Sequence, residues 1–283
     1  MFTTALSIER AAAQVRRDVI AQTAAARSGH PGGALGIADV VASLYFGSLR
    51  HDPARPDWPD RDRFVLSNGH CCAALYSALA RTGYFPAAEL LTFRSLGSRL
   101  QGHPARLDLP GVETSAGPLG QGLSVSVGMT LALRLRASDA RAYCLLGDGE
   151  IQEGQVWESA MTAAHYRLDR LCAIVSRNGL QIDGPTREVM DVDPIGPRFR
   201  AFGWSVVEID GHDLAAIDAA LRHFHATAGR PTAIVATTVM GKGVSFMEGQ
   251  AKWHGRPPSA AEAAAALREL PAGFAPDLWE DRG

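Results

Sequence analysis

The chain has 283 residues, and its 28 Lys and Arg residues nearly balance its 30 Asp and Glu residues, which leaves a formal net charge of −2. This balance argues against a nucleic-acid-binding protein and gives no reason to expect attachment to a membrane surface. Apolar residues make up 46% of the chain, enough for a substantial buried core. The four cysteines form no C-x-x-C pair, so we expect a reduced, cytoplasmic protein without a zinc site.

The first 120 residues predict helices, one short strand and a long irregular segment. The first helix should end at the Gly- and Pro-rich cluster 28–33, because these residue types interrupt helices. Residues 95–120 are too polar and too rich in Gly and Pro for a core element, and long irregular segments are usually functional or disordered. The predicted elements are helices over 5–27, 37–47 and 71–82 and a strand over 64–66.

After residue 120, helices and strands alternate regularly. The predicted helices are 121–136, 153–166, 195–202, 213–228 and 260–268, and the predicted strands are 142–146, 171–175, 204–209 and 232–236. Apolar strands between amphipathic helices imply βαβ units, so we predict an α/β fold with a doubly wound, mostly parallel sheet. We divide the chain into an α/β domain, residues 1–258, and a C-terminal helix and tail, residues 259–283.

Two of the predicted strands end in residues that suit an anion and a divalent cation. Ligands of open parallel sheets bind beyond the carboxyl ends of the strands. Strand 142–146 runs into Gly-Asp-Gly-Glu at 147–150, where glycine permits close approach of the backbone to an anion but Asp148 would repel it. A divalent cation between the anion and the Asp148 carboxylate would remove this repulsion. Asn178 and a carbonyl near Leu180 would add oxygens to the octahedral shell that Mg²⁺ prefers. An ordinary pair of βα turns is the alternative that these residues leave open.

Four of the nine histidines lie in loops that contain Gly or Pro. They are His30, His70, His103 and His254. No two of them are close on one helix or in one loop, so they do not have the spacing of metal ligands. We expect them to donate hydrogen bonds to phosphate or sugar hydroxyls and to move protons near neutral pH. Each one alone would equally fit a solvated surface residue.

Seven motifs follow one another along the chain. They are SGHPGG (28–33), LSNGH (66–70), QGHP (101–104), GPLGQGLS (117–124), GDGEIQEGQVWE (147–158), NGLQIDG (178–184) and GKGVSFME…KWHG (241–255). In this order they resemble the N-terminal, diphosphate-binding half of a transketolase that is encoded as a separate subunit. Gly-Asp-Gly alone is shared by all thiamine-diphosphate enzymes, whereas the seven motifs together are specific. The resemblance covers residues 5 to 258 and implies the thiamine-diphosphate-binding fold.

This resemblance implies roles for individual residues. The ligands of Mg²⁺, or of Ca²⁺ or Mn²⁺ in its place, would be Asp148, Asn178 and the carbonyl of Leu180. The residues that bind thiamine diphosphate would be His70, Gly117, Pro118, Leu119, Gly147, Asp148, Gly149, Glu150, Asn178 and His254. The catalytic residues would be His30 and His103, which contact substrate hydroxyls and assist proton transfer, His254, which lies near the reacting centre, and Glu153.

The resemblance also implies a partner. In the family, an acidic residue of a second module activates the aminopyrimidine of the cofactor, and Glu153 would hydrogen-bond to that residue. We therefore expect the chain to be inactive alone and to form a two-plus-two heterotetramer with a separate subunit that carries the pyrimidine-binding and C-terminal modules. Ser124, Gly128 and Ala132 give the helix after Gly122 a small-residue face that suits close packing. A helix crossing within the chain would explain this face equally well.

The implied function is transfer of a two-carbon ketol unit from a ketose or ketose phosphate to an aldehyde or other acceptor, with the chemistry performed by thiamine diphosphate. Two alternatives remain. One is an enzyme of specialised metabolism that passes the unit to an amino sugar or a carrier-protein thiol, and the other is a non-catalytic, cofactor-binding regulatory subunit. Two positions depart from the family: Ser176 stands where Asp is usual, and Cys71 and Cys72 follow His70 where small or apolar residues are more usual.

Overall fold

The computed structural model describes the backbone of residues 5–279 and the side chains of residues 8–279. Residues 1–4 and 280–283, which our division of the chain includes, lie outside the described residues. In chain order, the strands are β1 (Arg63–Leu66), β2 (Ala142–Gly147), β3 (Leu171–Arg177), β4 (Leu180–Gln181), β5 (Gly184–Pro185), β6 (Ser205–Asp210) and β7 (Thr232–Thr237). The α-helices are α1 (Ala5–Ala26), α2 (Pro31–Gly36), α3 (Ala38–Ser43), α4 (Cys72–Thr82), α5 (Gln121–Leu135), α6 (Gly154–His165), α7 (Thr186–Val189), α8 (Ile195–Ala201), α9 (Leu214–Ala226) and α10 (Ala260–Glu269).

Five strands form one central sheet in the order β1-β2-β3-β7-β6, and every neighbouring pair is parallel. A separate antiparallel pair, β4 and β5, follows β3. Strands β1, β2 and β3 lie side by side, with Gly147 opposite Ser176 at the last pair of β2 and β3. Their carboxyl ends therefore meet at one edge of the sheet, and the loops that follow them are neighbours.

Helices cover both faces of the sheet, because its inner strands are apolar on both sides. Tyr143 and Leu145 of β2 belong to the buried cluster that includes α1, α3, α4 and α9. The alternating residues Cys144 and Leu146 belong to the cluster that includes α5, α6 and α8. Burial of one Leu side chain such as Leu145 contributes about 1.5–3 kcal/mol. The predicted fold class, α/β with a doubly wound parallel sheet, is confirmed.

The Gly- and Pro-rich cluster 28–33 is only partly irregular. The first helix ends before it, as predicted, but α2 begins inside it with Pro31 at its first position, where the fixed φ of proline suits a helix. Gly32 lies within α2, and a Cβ at this position would stand 2.8 Å from both the Met240 side chain and the Trp253 carbonyl oxygen. Close packing therefore decides this residue and overrides the low helix propensity of glycine.

The other predicted elements are present at nearly the predicted bounds. The predicted helix 37–47 consists of α3 and a π-helical turn, Leu44–Ser48, that continues it. The segment 95–120 contains neither helix nor strand, as predicted. The sequence analysis did not predict β4, β5 and α7, because such short elements show no periodic pattern of apolar residues.

The C-terminal helix α10 packs on the same core as the rest of the chain. Its start is fixed by a capping box, in which Ser259 and Glu262 exchange side-chain-to-backbone hydrogen bonds. Ala263 and Ala266 are buried in the larger of the two apolar clusters. The division of the chain at residue 258 stays a prediction.

Within residues 5–279, none of the helices combines the length and apolar character that a membrane crossing requires.

Candidate active site

A cavity of about 420 Å³ opens at the edge of the sheet where β1, β2 and β3 end. Pro118 lies between two lining residues of one loop but does not itself line the cavity. Every other predicted site residue does: His30, His70, His103, Gly117, Leu119, Gly147, Asp148, Gly149, Glu150, Glu153, Asn178, Leu180 and His254. The structure thus brings together residues that are far apart in the sequence, and the role of each one stays a prediction.

Asp148 lies at the carboxyl end of β2 and is only 2% exposed. Its Oδ1 accepts the backbone N–H of Gly149 at 2.9 Å, and its Oδ2 accepts that of Gly179 at 2.6 Å. Burial raises the pKa of Asp148 to about 6, although these backbone N–H groups act in the opposite direction. Among the residues that the structure describes, no cationic side chain forms an ion pair with Asp148. A buried carboxylate without a counter-ion is a position that a metal cation would stabilise.

Asn178 and Leu180 share one turn after β3. The Asn178 side-chain oxygen accepts the backbone N–H of Leu180 at 2.9 Å, and both residues line the cavity beside Asp148. A carboxylate, a carboxamide oxygen and a backbone carbonyl are hard oxygen ligands that suit Mg²⁺ or Ca²⁺. In the part of the chain that the structure describes, no three His, Cys, Asp or Glu side chains are grouped to hold a metal. The residues present therefore fit a cation whose remaining ligands come from a bound phosphate and water.

The four predicted histidines form one cluster. The ring centroids of His70 and His254 lie 4.9 Å apart, and His30 lies 5.4 Å from His70, 5.8 Å from His254 and 6.4 Å from His103. Burial, followed by the charge of Arg94, lowers the pKa of His30 to about 4. Burial, followed by the neighbouring imidazoles, lowers the pKa of His70 to about 3, and burial also lowers the pKa values of His103 and His254. At neutral pH the cluster therefore consists of uncharged imidazoles, each able to accept one proton.

Two buried polar atoms in the cavity wall have no hydrogen-bond partner among residues 5–279. They are Nδ1 of His254 and the side-chain oxygen of Asn68. Buried polar atoms in proteins are almost always hydrogen-bonded, directly or through water. Their presence beside a cavity is what a binding site for a polar ligand would show. Asn68 belongs to the LSNGH motif, but the sequence analysis singled out only His70 from it.

Arg94 is a site residue that the sequence analysis missed. Its guanidinium donates to the Ser28 hydroxyl at 2.9 Å and to the Gly102 carbonyl at 3.2 Å, and it lies 3.4 Å from Nδ1 of His30. It forms no ion pair with any residue that the structure describes, so it leaves a positive charge beside the histidine cluster. A Cβ at Gly102 of the QGHP motif would stand 2.9 Å from the Arg94 guanidinium carbon, so the guanidinium would have to shift to admit one. No motif of the sequence analysis contained this arginine.

Glu150 connects several loops of the site. It is 3% exposed and accepts the backbone N–H groups of Gly120 and Gly147, each at 2.9 Å. It also accepts the Ser67 hydroxyl, which in turn accepts the backbone N–H of Gly122 at 3.1 Å. Burial raises the pKa of Glu150, and these hydrogen bonds lower it. Ser67 was not a predicted site residue, although it lies within a predicted motif.

Glu153 has different surroundings from Glu150. It is exposed, lines the mouth of the cavity and stands directly before α6. Among the described hydrogen bonds and ion pairs, none involves its carboxylate. Gly120, with a φ of +81°, passes so close that a Cβ there would stand 2.7 Å from Cβ of Glu153. The carboxylate of Glu153 is therefore accessible to a second polypeptide.

Of the three positions that the sequence analysis singled out as departures from the family, Ser176 and Cys71 line the cavity and Cys72 does not. Ser176 lines the cavity, and its hydroxyl is hydrogen-bonded to the Thr238 hydroxyl at 2.8 Å. Cys71 lines the cavity, and a Cβ at Gly33 would stand 2.7 Å from its sulfur. Burial raises the pKa of Cys71 far above its usual value and that of Cys72 to about 12, so both are thiols. The Cys72 thiol donates to a backbone carbonyl.

Comparison with known proteins assigns the chain to a family. The sequence profile of the family described as "Transketolase, thiamine diphosphate binding domain" matches residues 7–278. The chain is 43% identical over 245 residues to one subunit of the apulose-4-phosphate transketolase of Phocaeicola vulgatus, covering 87% of both chains. It is 45% identical over 226 residues to the 6-deoxy-6-sulfo-D-fructose transketolase subunit SqwG of a Clostridium species, covering 80% of this chain and 82% of that protein.

The fold agrees with this assignment. Transketolase from Leishmania mexicana superimposes with a TM-score of 0.91 at 35% identity, over 98% of this chain and 43% of that one. The chain therefore spans less than half the length of that enzyme. The predicted resemblance is confirmed by the matched profile and by the relatives. The chain belongs to the transketolase family, in which it corresponds to the N-terminal, thiamine diphosphate-binding subunit.

Proposed function

We propose that the chain is the diphosphate-binding subunit of a two-subunit transketolase that transfers a two-carbon ketol unit with thiamine diphosphate and Mg²⁺. The proposal rests on one observation: Asp148, Asn178 and the four-histidine cluster line the same cavity at the carboxyl edge of the sheet. A metal–diphosphate site and a set of neutral imidazoles are the parts of such a transfer that this chain would supply. The Phocaeicola vulgatus relative is itself named as one subunit of a transketolase, which supports the division into two chains.

Asp148, the Asn178 side chain and the Leu180 carbonyl would hold the metal, and Ca²⁺ or Mn²⁺ would fit the same oxygens. The cation would neutralise the buried Asp148 carboxylate and attach the diphosphate to the end of the sheet. The glycine residues on either side of Asp148, together with the loop at 117–119, would line the diphosphate. Thiamine diphosphate, when bound, supplies the stabilised carbanion that carries the two-carbon unit.

The histidine cluster would serve the substrate. His70 and His254 are stacked with an angle of 28° between their rings, and the unpartnered Nδ1 of His254 is placed to bind a polar ligand. His30 and His103 lie further along the cavity, next to the Arg94 guanidinium. Uncharged imidazoles can accept a proton from a sugar hydroxyl and return it, and the cation of Arg94 would attract an anionic substrate.

A partner subunit that carries the pyrimidine-binding module would complete the site in a two-plus-two heterotetramer. The accessible carboxylate of Glu153 supports this, because it stands at the cavity mouth without a partner in the described part of the chain. The small-residue face of α5 supports it as well. Gly128 and Ala132 are exposed, and a Cβ at Gly128 would meet no described atom within 4 Å. We place the enzyme in the cytoplasm on its four free, buried cysteines.

The test is reconstitution. The chain would be purified together with the product of the neighbouring gene and assayed with Mg²⁺, thiamine diphosphate and a panel of ketose phosphates and free ketoses as donors, against pyruvate as the competing donor class. We expect ketol transfer only when both chains are present. Turnover of pyruvate but of no ketose, or cofactor binding without any turnover by the assembled pair, would contradict the proposed function.

A further inference from the structure

One buried carboxylate joins three segments that line the cavity. Glu150 accepts the N–H of Gly147 at one oxygen, and the N–H of Gly120 and the Ser67 hydroxyl at the other. Gly147 ends β2, Ser67 follows β1, and Gly120 precedes α5. The pairing of β1 with β2 already fixes Ser67 relative to Gly147, whereas the loop at 117–120 is irregular and has no strand pairing to hold it.

The Ser67 hydroxyl both accepts and donates a hydrogen bond in this network. Its oxygen accepts the N–H of Gly122 at 3.1 Å, so its proton is available for donation to Glu150. Gly122 passes Ser67 too closely for any Cβ to fit between them. The segment 117–122 is therefore attached to Glu150 twice, directly at Gly120 and through Ser67 at Gly122.

Glu150 is poorly suited to contact a diphosphate itself. Both oxygens are engaged by protein donors, and a carboxylate repels a phosphate that no cation separates from it. No cationic side chain in the described part of the chain forms an ion pair with Glu150. Its hydrogen bonds go to backbone groups of the cavity wall, so its effect on a ligand passes through them.

From this geometry we infer that Glu150 is a positioning residue, which holds the segment 117–122 at a fixed distance from the Gly147–Gly149 turn. The two segments then present the backbone of Gly117 and Gly149 to the same ligand without further ordering. The inference rests on the proposed function for the identity of that ligand. The sequence analysis predicted that Glu150 binds the cofactor directly. In this inference Glu150 acts on the cofactor only through the backbone groups that it holds in place.

The first test needs no cofactor. In Glu150→Gln, the carboxamide must turn an N–H toward a backbone or hydroxyl donor, so at least one of the three hydrogen bonds is lost. We expect amide hydrogen exchange in peptides covering 117–122 to become at least ~10-fold faster, with β3 unchanged. The matched control is Asp18→Asn, the same change in a buried carboxylate that accepts from Ser77 at 2.7 Å and from Arg81 and does not line the cavity. It should leave exchange at 117–122 as in the wild type.

The second test measures binding of thiamine diphosphate with Mg²⁺ by calorimetry, on the full chain assembled with its partner subunit. We expect the dissociation constant to rise ~10–100-fold in Glu150→Gln, as for other residues that orient ligating groups, and less in Ser67→Ala. Asp18→Asn should lower the unfolding midpoint but leave the dissociation constant unchanged. If Glu150→Gln does not fold, Ser67→Ala carries the test, because it removes one of the two attachments.

The outcomes are distinguishable. Unchanged exchange at 117–122 in both Glu150→Gln and Ser67→Ala, or a dissociation constant of Glu150→Gln that stays at the wild-type value as in Asp18→Asn, would overturn the inference and leave the proposed function intact. Failure of the wild-type assembly to bind thiamine diphosphate would overturn the proposed function and, with it, the cofactor part of the inference. Faster exchange at 117–122 would still support the positioning role of Glu150 in that case.

Discussion

The Asp148 carboxylate accepts the backbone N–H of Gly179 at 2.6 Å, so a side chain at the end of β2 fixes the turn that follows β3. This contact places the Asn178 side chain and the Leu180 backbone on the same side of the cavity as Asp148. The proposed metal ligands are thus oriented by a hydrogen bond within the protein. Such orientation before binding reduces the ordering that a cation would otherwise have to impose.

We predict that Asp148→Ala abolishes Mg²⁺-dependent binding of thiamine diphosphate without unfolding the chain. The variant loses a metal ligand and two acceptors of backbone N–H groups, but it also removes a buried charge that has no counter-ion. We expect the affinity to fall by at least ~100-fold, while the thermal midpoint shifts by no more than roughly 4 °C. Calorimetric titration and circular dichroism melting measure the two quantities.

The control for this substitution is Asp183→Ala, an exposed carboxylate between β4 and β5. It should bind the cofactor with wild-type affinity. Unchanged affinity of Asp148→Ala in the presence of Mg²⁺ would remove the metal assignment, since a ligand of the cation cannot be dispensable.

His103 is predicted to act on the substrate and not on the cofactor. Its ring lies 6.4 Å from that of His30, and burial lowers its pKa, so it is a neutral imidazole that can accept a proton. His103→Ala should leave the dissociation constant of thiamine diphosphate unchanged and slow turnover by at least ~10²-fold, the usual effect of removing a general acid or base. Steady-state kinetics of the assembled enzyme and a cofactor titration measure both values. A variant that loses only cofactor affinity would show that the role of His103 is misassigned.

The lowered pKa values of the histidine cluster predict that the folded chain is less stable at acidic pH. Burial lowers the pKa of His30 to about 4, below the 6.5 of an ordinary histidine. Between these two values the unfolded chain binds more protons than the folded chain, so the free energy of unfolding increases with pH. This contribution is fully present above about pH 6.5 and is lost as the pH falls toward the folded pKa. We expect denaturant titrations of the cofactor-free chain to show lower stability at about pH 5 than at about pH 7.5.

The variant His30→Asn isolates this effect. It should show a smaller loss of stability between the two pH values than the wild type, because it removes one group that must be protonated on unfolding. The exposed His165 supplies the control, and His165→Asn should lose as much stability as the wild type. An identical pH dependence in His30→Asn and the wild type would contradict the neutral state of His30.

Two glycines that lie in helices differ in how closely they are packed, so their substitution by alanine can be compared. At Gly32 a Cβ would stand 2.8 Å from the Trp253 carbonyl oxygen, whereas at Gly128 it would meet no described atom within 4 Å. We expect Gly32→Ala to lower the free energy of unfolding by about 1–3 kcal/mol, the usual cost of overpacking. Gly128→Ala should raise it by about 0.5–1 kcal/mol, since Ala has the higher helix propensity. Both values come from denaturant titration of the isolated chain, and destabilisation by both changes alike would contradict the packing argument.

The sequence predicted the order of helices and strands and the parallel sheet, because the periodicity of apolar residues and the turn residues are local properties. The cavity residues, all but Pro118 of those predicted, followed mainly from the motifs that resemble the family. The sequence did not predict that Gly32 is helical, because the contacts with Met240 and Trp253 join residues more than 200 positions apart. Arg94 was missed for a similar reason, since its hydrogen bond with the Ser28 hydroxyl joins residues 66 positions apart. The motifs identified which residues lie at the site, but not which of them hold the others in place, as Ser67 does.

The cavity has a thermodynamic consequence for the whole domain. Its imidazoles come from positions 30, 70, 103 and 254, so the binding surface exists only when nearly the entire chain has folded. A molecule that binds this surface therefore has no affinity for partly folded forms, and mass action would make it a stabiliser of every element at once. At a concentration 100 times its dissociation constant, a single such ligand adds about 2.7 kcal/mol to the free energy of unfolding. Vitamin supply would in this way set the resistance of the protein to heat and proteolysis.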